Sequence, residues 1–255
     1  MGQPAKNGVK AVSRVMSILD ALQQKNGAGV TELANEVDLT KGTVHSYLAS
    51  LEQHDFVTNE GGTYRLGHGT LKHGGWVLEQ NRFYAQAIDY VRKLADRTGE
   101  IAALSIEEHG KNVYLAPMGG EEAINLDVRL GERLPIHCVG SGKAILAMLP
   151  EERVHAIVDE YGLPSYTSNT ITEIDRLLAE LEDIREQRVA FDNEERIEGV
   201  RSVAAPVVND ETNEVYGAIT VSGPKGRMKG EWYNEDLPEH VHDTAREISI
   251  NLTYE

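Results

Sequence analysis

The first 66 residues carry the pattern that most limits how this chain folds. Three segments with apolar residues at three- and four-residue steps come first, as amphipathic helices require. They are residues 9–24, 31–37 and 41–54. Residues 56–58 and 63–66 are β-prone and flank Gly61 and Gly62, which favour a tight hairpin turn. Three helices followed by a hairpin predict a winged helix-turn-helix.

The third predicted helix has one apolar face and one polar face. Val44, Leu48 and Leu51 step by four and three residues, so we expect them to face the core. Thr40 is the predicted N-cap, and the N–H groups of the first helical turn are available to a phosphate. A short polar face and a slim wing fit the major groove and the backbone of DNA. A protein-interaction module that binds no nucleic acid has the same order of elements and stays open here.

Acidic residues are concentrated after residue 78. Residues 1–78 hold seven Lys or Arg and seven Asp or Glu, whereas the rest of the chain holds 18 basic and 34 acidic residues. The whole net charge of −16 therefore lies in the C-terminal part. This asymmetry predicts two modules with different partners, of which only the first would tolerate a polyphosphate. A generally acidic surface, as in proteins of salt-adapted hosts, is the alternative explanation.

The C-terminal part changes from helical to strand-like spacing after Gly99. Predicted strands lie at 101–107, 112–117, 125–128, 189–193, 202–208 and 215–222. Predicted helices lie at 82–98, 142–148, 151–161, 171–187 and 237–252. Strands and helices in this order predict an α+β domain with a largely antiparallel sheet. Before it, residues 68–81 are helix-prone but interrupted by glycines, which indicates either a conformational joint or a close helix–helix contact.

Ordered motifs along nearly the whole chain, from about residue 9 to 252, resemble IclR-type transcriptional regulators. In the first module they are residues 31–34, 39–45, 48–52, 56–57 and 64–67. In the second they are 134–138 with 140–147, then 191–195, 199–201, 204–207 and 219–224. One departure is Ser46, because members of the family often place Arg directly after the His of the third helix. That difference removes a phosphate or guanine contact and changes the expected operator.

The resemblance implies a division of the chain and a set of partners. Residues 1–67 would be the DNA-binding domain, 68–81 a linker helix and 82–255 a GAF-like effector domain. The implied partners are a double-stranded, near-palindromic operator, a small-molecule effector and further copies of the chain in a dimer or tetramer. The candidate DNA contacts are Thr31, Thr40, Lys41, Gly42, Thr43, His45, Ser46, Gly62, Thr63 and Arg65. The resemblance implies a transcription regulator that represses metabolic genes, and we expect it to require no cofactor.

The segment Gly140-Ser141-Gly142-Lys143 is the candidate effector site. It lacks the first Gly and the final Ser or Thr of a phosphate-binding loop. A glycine-rich turn entering a helix still offers N–H groups to a carboxylate, although it is also typical of a plain helix start. The resemblance adds further positions to this turn, and the full set is Gly140, Ser141, Asp192, Ser202, Thr220 and Ser222. So many hydroxyls favour a small, oxygen-rich acid over an aromatic one, although strand hydroxyls also form cross-strand pairs.

An enzyme fused to a helical interaction module is the competing function. Cys138 beside His137 is typical of a thiolate nucleophile, with Asp192 or Glu194 as the orienting group. Adjacent residues of an extended segment point to opposite faces, so the pair is poorly placed for proton transfer. His240 and His242 lack a third ligand nearby, so we expect no metal. The single cysteine excludes an internal disulfide, and the absence of an 18-residue apolar run favours a cytoplasmic protein with no membrane partner.

Overall fold

The computed structural model describes residues 8–124, 126, 128–209 and 211–254. The chain divides into two compact units, residues 1–80 and residues 81–255. None of the helices in the described ranges has the length and apolar character that a bilayer span requires. The two units are taken in turn, because each has its own core.

The N-terminal unit contains the predicted helices and hairpin. Its helices are α1 (Lys10–Lys25), α2 (Val30–Glu36), α3 (Lys41–Gln53) and α4 (Gly69–Glu79), and its strands are β1 (Ala28–Gly29), β2 (Val57–Glu60) and β3 (Thr63–Leu66). The order β1-β3-β2 makes a small antiparallel sheet. Strand β1 was not predicted, because a strand of two residues has no periodicity to detect. The winged helix-turn-helix prediction is confirmed.

The core of this unit forms where the apolar spacing places it. Val44, Leu48 and Leu51 of α3 are buried, as predicted, and pack with residues of α1, α2 and the wing. Gly61 and Gly62 both have positive φ, 61° and 92°, which is the conformation of a two-residue turn between twisted strands. The turn residues are thus glycines because other L-residues are strained there.

Helix α4 is unusual because none of its side chains is buried. A Cβ atom built on Gly74 or Gly75 would meet nothing within 4 Å. The close helix–helix contact that these glycines indicated is therefore absent within the described part of the chain. Leu71, Trp76 and Val77 on this helix expose 65%, 62% and 57% of their surface.

The C-terminal unit is built around one six-stranded antiparallel sheet in the order β6-β5-β4-β9-β8-β7. Its strands are β4 (Ile101–Glu108), β5 (Lys111–Gly119), β6 (Arg133–Pro135), β7 (Ala190–Asn193), β8 (Val200–Val208) and β9 (Val215–Pro224). Its helices are α5 (Arg82–Thr98), α6 (Gly140–Met148), α7 (Glu151–Tyr161), α8 (Ile174–Gln187) and α9 (Leu237–Tyr254), with a π-helical turn at Trp232–Asp236 before α9. The predicted α+β class with an antiparallel sheet is confirmed.

The predicted strand at 125–128 is wrong for the residues that are described. Leu126 and Val128 lie outside any strand, and the other two positions fall outside the described residues. The sixth strand forms instead at Arg133–Pro135, which pairs with β5, and a 3-10 turn follows it at Ile136–Cys138. Leu126 and Val128 are β-prone because they are apolar, but they cover a cavity rather than pair with a neighbouring strand.

The helices of this unit pack in two groups. Helices α6, α7 and α8 form a core with sheet residues such as Ala190, Ala204 and Ala218. Helices α5 and α9 pack against each other; α5 also packs against β4, β5 and β9, and α9 against β8 and β9. Small sheet residues let α6 approach closely, and a Cβ on Gly142 would lie 2.0 Å from the Ile136 carbonyl oxygen. This contact fixes where α6 begins relative to the 3-10 turn.

Candidate functional site

The start of α3 presents the polar surface that the sequence predicts. The Thr40 hydroxyl caps the helix by accepting the Thr43 N–H at 3.2 Å. Lys41, Gly42, His45 and Ser46 are exposed, and Thr43 is half-buried. Thr31 is exposed in the first turn of α2. The exposed face is thus available to a ligand, while the opposite face of α3 holds the core.

Several candidate DNA contacts already form hydrogen bonds within the protein. The Ser46 hydroxyl donates to the Gly42 carbonyl at 3.0 Å, so its proton is engaged within α3. The Arg65 guanidinium donates to the Asn26 carbonyl, which ties β3 to the turn after α1. At the wing tip Gly62 donates its N–H to the Asn59 side chain at 2.9 Å, while Thr63 is half-buried. Arg65 therefore stabilises the wing, and only its remaining N–H groups are available to contact DNA.

All six predicted effector residues line one cavity of the C-terminal unit. The cavity is partly open to solvent, and the empty space between its walls, open solvent included, is about 430 Å³. Gly140 and Ser141 come from α6, Asp192 from β7, Ser202 from β8, and Thr220 and Ser222 from β9. The structure thus brings together every member of the set, although a role in ligand binding stays a prediction.

The sheet register explains how distant residues meet in this cavity. Asp192 lies opposite Ser202, and Ser202 lies opposite Ser222, so the three form one row across β7, β8 and β9. Directly opposed residues point to the same face. Thr220 stands two residues before Ser222 and therefore shares that face. Its hydroxyl donates to the Val203 carbonyl at 3.1 Å, which leaves its oxygen as an acceptor.

The first turn of α6 closes the cavity on one side. Its N-cap is Val139, which has no side-chain hydrogen bond to offer, so the N–H groups at the start of α6 are left uncapped. The predicted glycine turn is thus the first helical turn itself. A Cβ on Gly140 would lie 2.7 Å from the Ser202 hydroxyl oxygen, so a larger residue at this position would displace the Ser202 side chain from the cavity wall. The Ser141 hydroxyl donates to the Asn112 side chain at 3.0 Å.

Asp192 is the buried acidic group of the cavity. Burial raises the pKa of its carboxyl to about 7, against the hydrogen bond from the Glu195 N–H and the charge of Lys143, which lower it. The Glu195 N–H donates to the Asp192 carboxylate at 2.8 Å. Near neutral pH the carboxyl therefore exists in both forms, as a hydrogen-bond donor and as an anion.

A fully buried lysine lies behind this site. Lys143 on α6 forms ion pairs with Glu180 of α8 and with Glu195, the latter at 2.5 Å. Burial alone would lower the pKa of Lys143, but the two carboxylates outweigh it and raise the pKa. The ion pair with Glu195 therefore holds the segment after β7 against α6. It thereby also positions the residues of that segment that border the cavity.

Sequence reasoning missed the other half of the cavity wall. Arg196 is the only cation among the described lining residues, and its guanidinium lies 4.4 Å from the Tyr166 ring centre. Its Nε atom is buried and has no hydrogen-bond partner. The remaining wall is apolar apart from the buried Tyr114, and consists of Leu126, Val128, Leu134, Val139, Ile197 and Val200. A basic residue inside an acidic run next to Asp192 is the signal that could have found Arg196.

The proposed nucleophile of the competing function is disabled by its surroundings. Cys138 is fully buried, and burial raises the pKa of its thiol to about 12. His137 contacts the Pro164 carbonyl through Nε2 at 3.2 Å rather than the Cys138 sulfur. A thiol that stays protonated is a poor nucleophile. Within the described ranges no group of His, Cys, Asp and Glu is arranged to hold a metal ion.

Comparison with known proteins gives matches for both units. The family model described as bacterial transcriptional regulator IclR C-terminal matches residues 76–250, and the IclR helix-turn-helix domain matches residues 11–61. The chain is 32% identical to a probable HTH-type transcriptional regulator ArcR of Halobacterium salinarum, over 98% of this chain and 96% of that protein. It is 30% identical to the HTH-type transcriptional repressor AllR of Escherichia coli, over 97% of this chain and 92% of that protein.

Solved structures give the same answer for the fold. The crystal structure of the Thermotoga maritima IclR protein is 29% identical and has a TM-score of 0.81, over 96% of this chain and 99% of that one. An IclR homologue of Microbacterium hydrocarbonoxydans, crystallised with 4-hydroxybenzoate, has a TM-score of 0.80 at 20% identity, over 96% of this chain and 100% of that one. The named relatives are regulators, which confirms that the chain is not an enzyme. The chain therefore belongs to the IclR family of transcriptional regulators, with a DNA-binding helix-turn-helix domain followed by an effector-binding domain.

Proposed function

We propose that the protein is a repressor of metabolic genes whose operator affinity changes when a small hydroxy acid or sugar acid binds the C-terminal cavity. The similarity to a protein named as a repressor supports the direction of control. In this proposal residues 1–67 bind the operator, residues 68–81 link the domains and residues 82–255 bind the effector. The effector acts by binding one of two protein states more tightly than the other.

The observation that carries this proposal is the uncapped start of α6 facing a row of hydroxyls. A carboxylate at Gly140 and Ser141 would accept their N–H groups and gain from the helix dipole. Ser202 and Ser222 then meet further oxygens of the ligand. Burying a hydroxyl without a partner costs about 1–3 kcal/mol, which disfavours an aromatic ring at this end of the cavity.

The two walls of the cavity restrict the ligand further. Arg196 favours an acid over a neutral polyol, because a guanidinium pairs with a carboxylate. Asp192 disfavours a second negative charge on the ligand. Its carboxyl can accept a hydrogen bond from a hydroxyl of the ligand, or donate one to it when protonated. The apolar wall formed by residues such as Leu126 and Val200 accommodates a short carbon skeleton. A monocarboxylic acid with at least one hydroxyl meets all three conditions.

The test of this proposal measures ligand binding and DNA binding together. Isothermal calorimetry of the full chain with pyruvate, glycolate, lactate, gluconate and 4-hydroxybenzoate should give the strongest binding to one of the aliphatic hydroxy acids, which are glycolate, lactate and gluconate. An operator is first selected from random DNA, and fluorescence anisotropy should then show that the same acid weakens the complex. Arg196→Gln should weaken binding of the acid about 10-fold or more, as expected for a lost charge-assisted hydrogen bond.

The control is Arg176→Gln, because Arg176 is exposed on α8 and does not line the cavity. Tight binding of 4-hydroxybenzoate that Asp192→Ala leaves unchanged would contradict the proposed ligand chemistry. Tighter operator binding in the presence of the hydroxy acid would contradict the proposed sign of control.

The apolar residues exposed on two helices support assembly. Val12 and Met16 on α1 and Trp76 on α4 expose 60%, 52% and 62% of their surface. Exposed apolar patches of this kind mark protein interfaces. We propose that a second copy of the chain covers them, which would bring two α3 helices to one near-palindromic operator with half-sites about 34 Å apart.

A further inference from the structure

A second cavity lies between the C-terminal end of α8, strand β8 and helix α9. It is open to solvent, with about 620 Å³ of empty space when the open solvent is included, and none of its lining residues belongs to the cavity that contains Asp192. We call it the basic groove. The lining groups that matter for its chemistry are Arg188, Val208, His242, Ala245, Arg246 and Ser249.

The charge of the basic groove is opposite to that of the domain around it. Among the described residues Arg188, His242 and Arg246 line it and no acidic residue does, although the chain after residue 78 carries 34 acidic and 18 basic residues. Other arginines of this domain pair with carboxylates, as Arg153 does with Glu107 at 2.7 Å. A basic cluster is therefore not the consequence of a generally basic surface.

Neither arginine of the groove has a carboxylate partner among the described residues. A terminal nitrogen of Arg188 lies 3.1 Å from the Met148 sulfur, which is a weak acceptor. Arg246 is exposed on α9. The nearest acidic neighbour of His242 is Asp243, at 3.7 Å between Nδ1 and Oδ1, and Asp243 does not line the groove. Two guanidinium groups thus keep most of their donors for another acceptor.

The floor of the groove adds a donor in an apolar setting. The Ser249 hydroxyl accepts the Val208 N–H at 3.1 Å, so its own proton remains available to an acceptor. Val208, Ala245 and Ser249 are buried. Buried apolar neighbours strengthen an electrostatic contact, because they exclude water from around it.

We propose that the basic groove binds a phosphate group, as free phosphate or as a phosphate monoester. The two guanidinium groups supply only donors, and the imidazole and the Ser249 hydroxyl can each donate a hydrogen bond as well. Guanidinium groups bind phosphate in a bidentate way, and a dianion satisfies two of them where a monocarboxylate satisfies one. The ligand of this groove therefore differs in charge and chemistry from the acid proposed for the other cavity.

The position of the groove gives it a route to the effector cavity. Arg188 lies two residues before β7, which carries Asp192, and its φ of 58° places it in the left-handed region. Strand β8 runs from Ser202 in the effector cavity to Val208 in the groove. A phosphate that fixes the position of Arg188 would thus restrain β7 and β8, which both contribute residues to the effector cavity.

The experiment measures phosphate binding to the full chain at fixed ionic strength. Thermal shift and calorimetry are run with inorganic phosphate, glycerol 3-phosphate and succinate, with sulfate-free chloride buffer as the reference. We expect saturable binding of phosphate or its monoester. Arg188→Gln and Arg246→Gln should each weaken it about 10-fold or more, in line with charge-assisted hydrogen bonds. Arg176→Gln is the matched control, because Arg176 is exposed on α8 and lines neither cavity.

The arms of the experiment separate the alternatives. Stronger binding of glycerol 3-phosphate than of inorganic phosphate identifies a phosphorylated metabolite as the ligand, and the reverse identifies free phosphate; either supports the proposal. The proposal is overturned if neither saturates, if succinate alone binds, or if the Arg188→Gln, Arg246→Gln double variant binds phosphate like wild type. It is also overturned if that double variant changes only the oligomeric state, since the groove would then be an interface.

Discussion

At the scale of single residues, Asp192 links stability to the function of the cavity. Its carboxyl is buried by the fold, with a pKa of about 7 against an ordinary value of 3.8. The folded state therefore holds a proton that the unfolded state releases between these two values. A carboxyl so placed weakens the fold above pH 4.

We predict that Asp192→Asn stabilises the protein in a pH-dependent way. Because the folded pKa is the higher one, the wild-type contribution is fully present below pH 4 and is lost as the pH rises to about 7. The gain of the variant over wild type should rise across this window and level off at about 2–4 kcal/mol, at 1.36 kcal/mol per pKa unit with allowance for relaxation. Urea unfolding from pH 4.5 to 8.5 checks this, and a gain that is constant with pH would contradict it.

The polar face of α3 leads to a second prediction for single residues. Thr43→Ala with His45→Ala should weaken binding to the selected operator by about 1–3 kcal/mol for each lost base contact and relax preference at the base pairs concerned. Ser50→Ala is the matched control, because Ser50 is exposed on the same helix but donates to the Ser46 carbonyl at 3.1 Å. Fluorescence anisotropy with single-base operator variants measures both effects. Unchanged affinity and preference in the double variant would mean that α3 does not read DNA.

At the scale of helices and strands, glycine has opposite roles in α6 and α4. Gly142→Ala should destabilise the C-terminal unit by about 1–3 kcal/mol, because the new methyl group overlaps the Ile136 carbonyl and the chain must shift. Gly74→Ala should stabilise α4 by about 1 kcal/mol, because alanine is the better helix former and the new methyl group meets nothing. Thermal unfolding followed by circular dichroism measures both. Destabilisation by Gly74→Ala would show that a neighbouring chain needs the glycine.

Much of the fold could be predicted from the sequence because the apolar spacing follows burial. Helices such as α3 keep one face in the core, so Val44, Leu48 and Leu51 identify it. The strand predicted at 125–128 fails because Leu126 and Val128 are apolar for a different reason, as the wall of a cavity. Spacing reports that a side chain avoids water and not what it contacts instead.

The candidate site was predictable partly from strand geometry and partly from the resemblance to the family. Thr220 and Ser222 are two residues apart on one strand, so their shared face follows from the alternation of side chains, whereas the resemblance implied Asp192 and Ser202. Arg196 lies in a loop, where no periodicity tells which way a side chain points. The bond from Arg65 to the Asn26 carbonyl depends on an equally irregular turn and could not be foreseen.

At the scale of the whole molecule, assembly is the main prediction. Light scattering at micromolar concentration should show a dimer or tetramer, and Leu71→Glu with Val77→Glu should shift it toward monomer, because charge replaces apolar surface that a second copy would cover. Ile250→Glu is the control, since Ile250 is 43% exposed on α9. A wild-type protein that is monomeric at this concentration, in salt suited to its acidic surface, would contradict the proposal.

Helix α4 has a consequence for how the regulator responds to its own abundance. It has 11 residues, no buried side chain and two glycines in open space, and an isolated helix of this length is marginal in water. In the proposed assembly, formation of this helix and association of two chains are then coupled, as in segments that fold on binding. Dilution should unwind residues 69–79 before either domain melts, and limited proteolysis should cut there in dilute samples alone. The concentration of the protein in the cell would then determine whether the linker between its two domains is helical or unfolded.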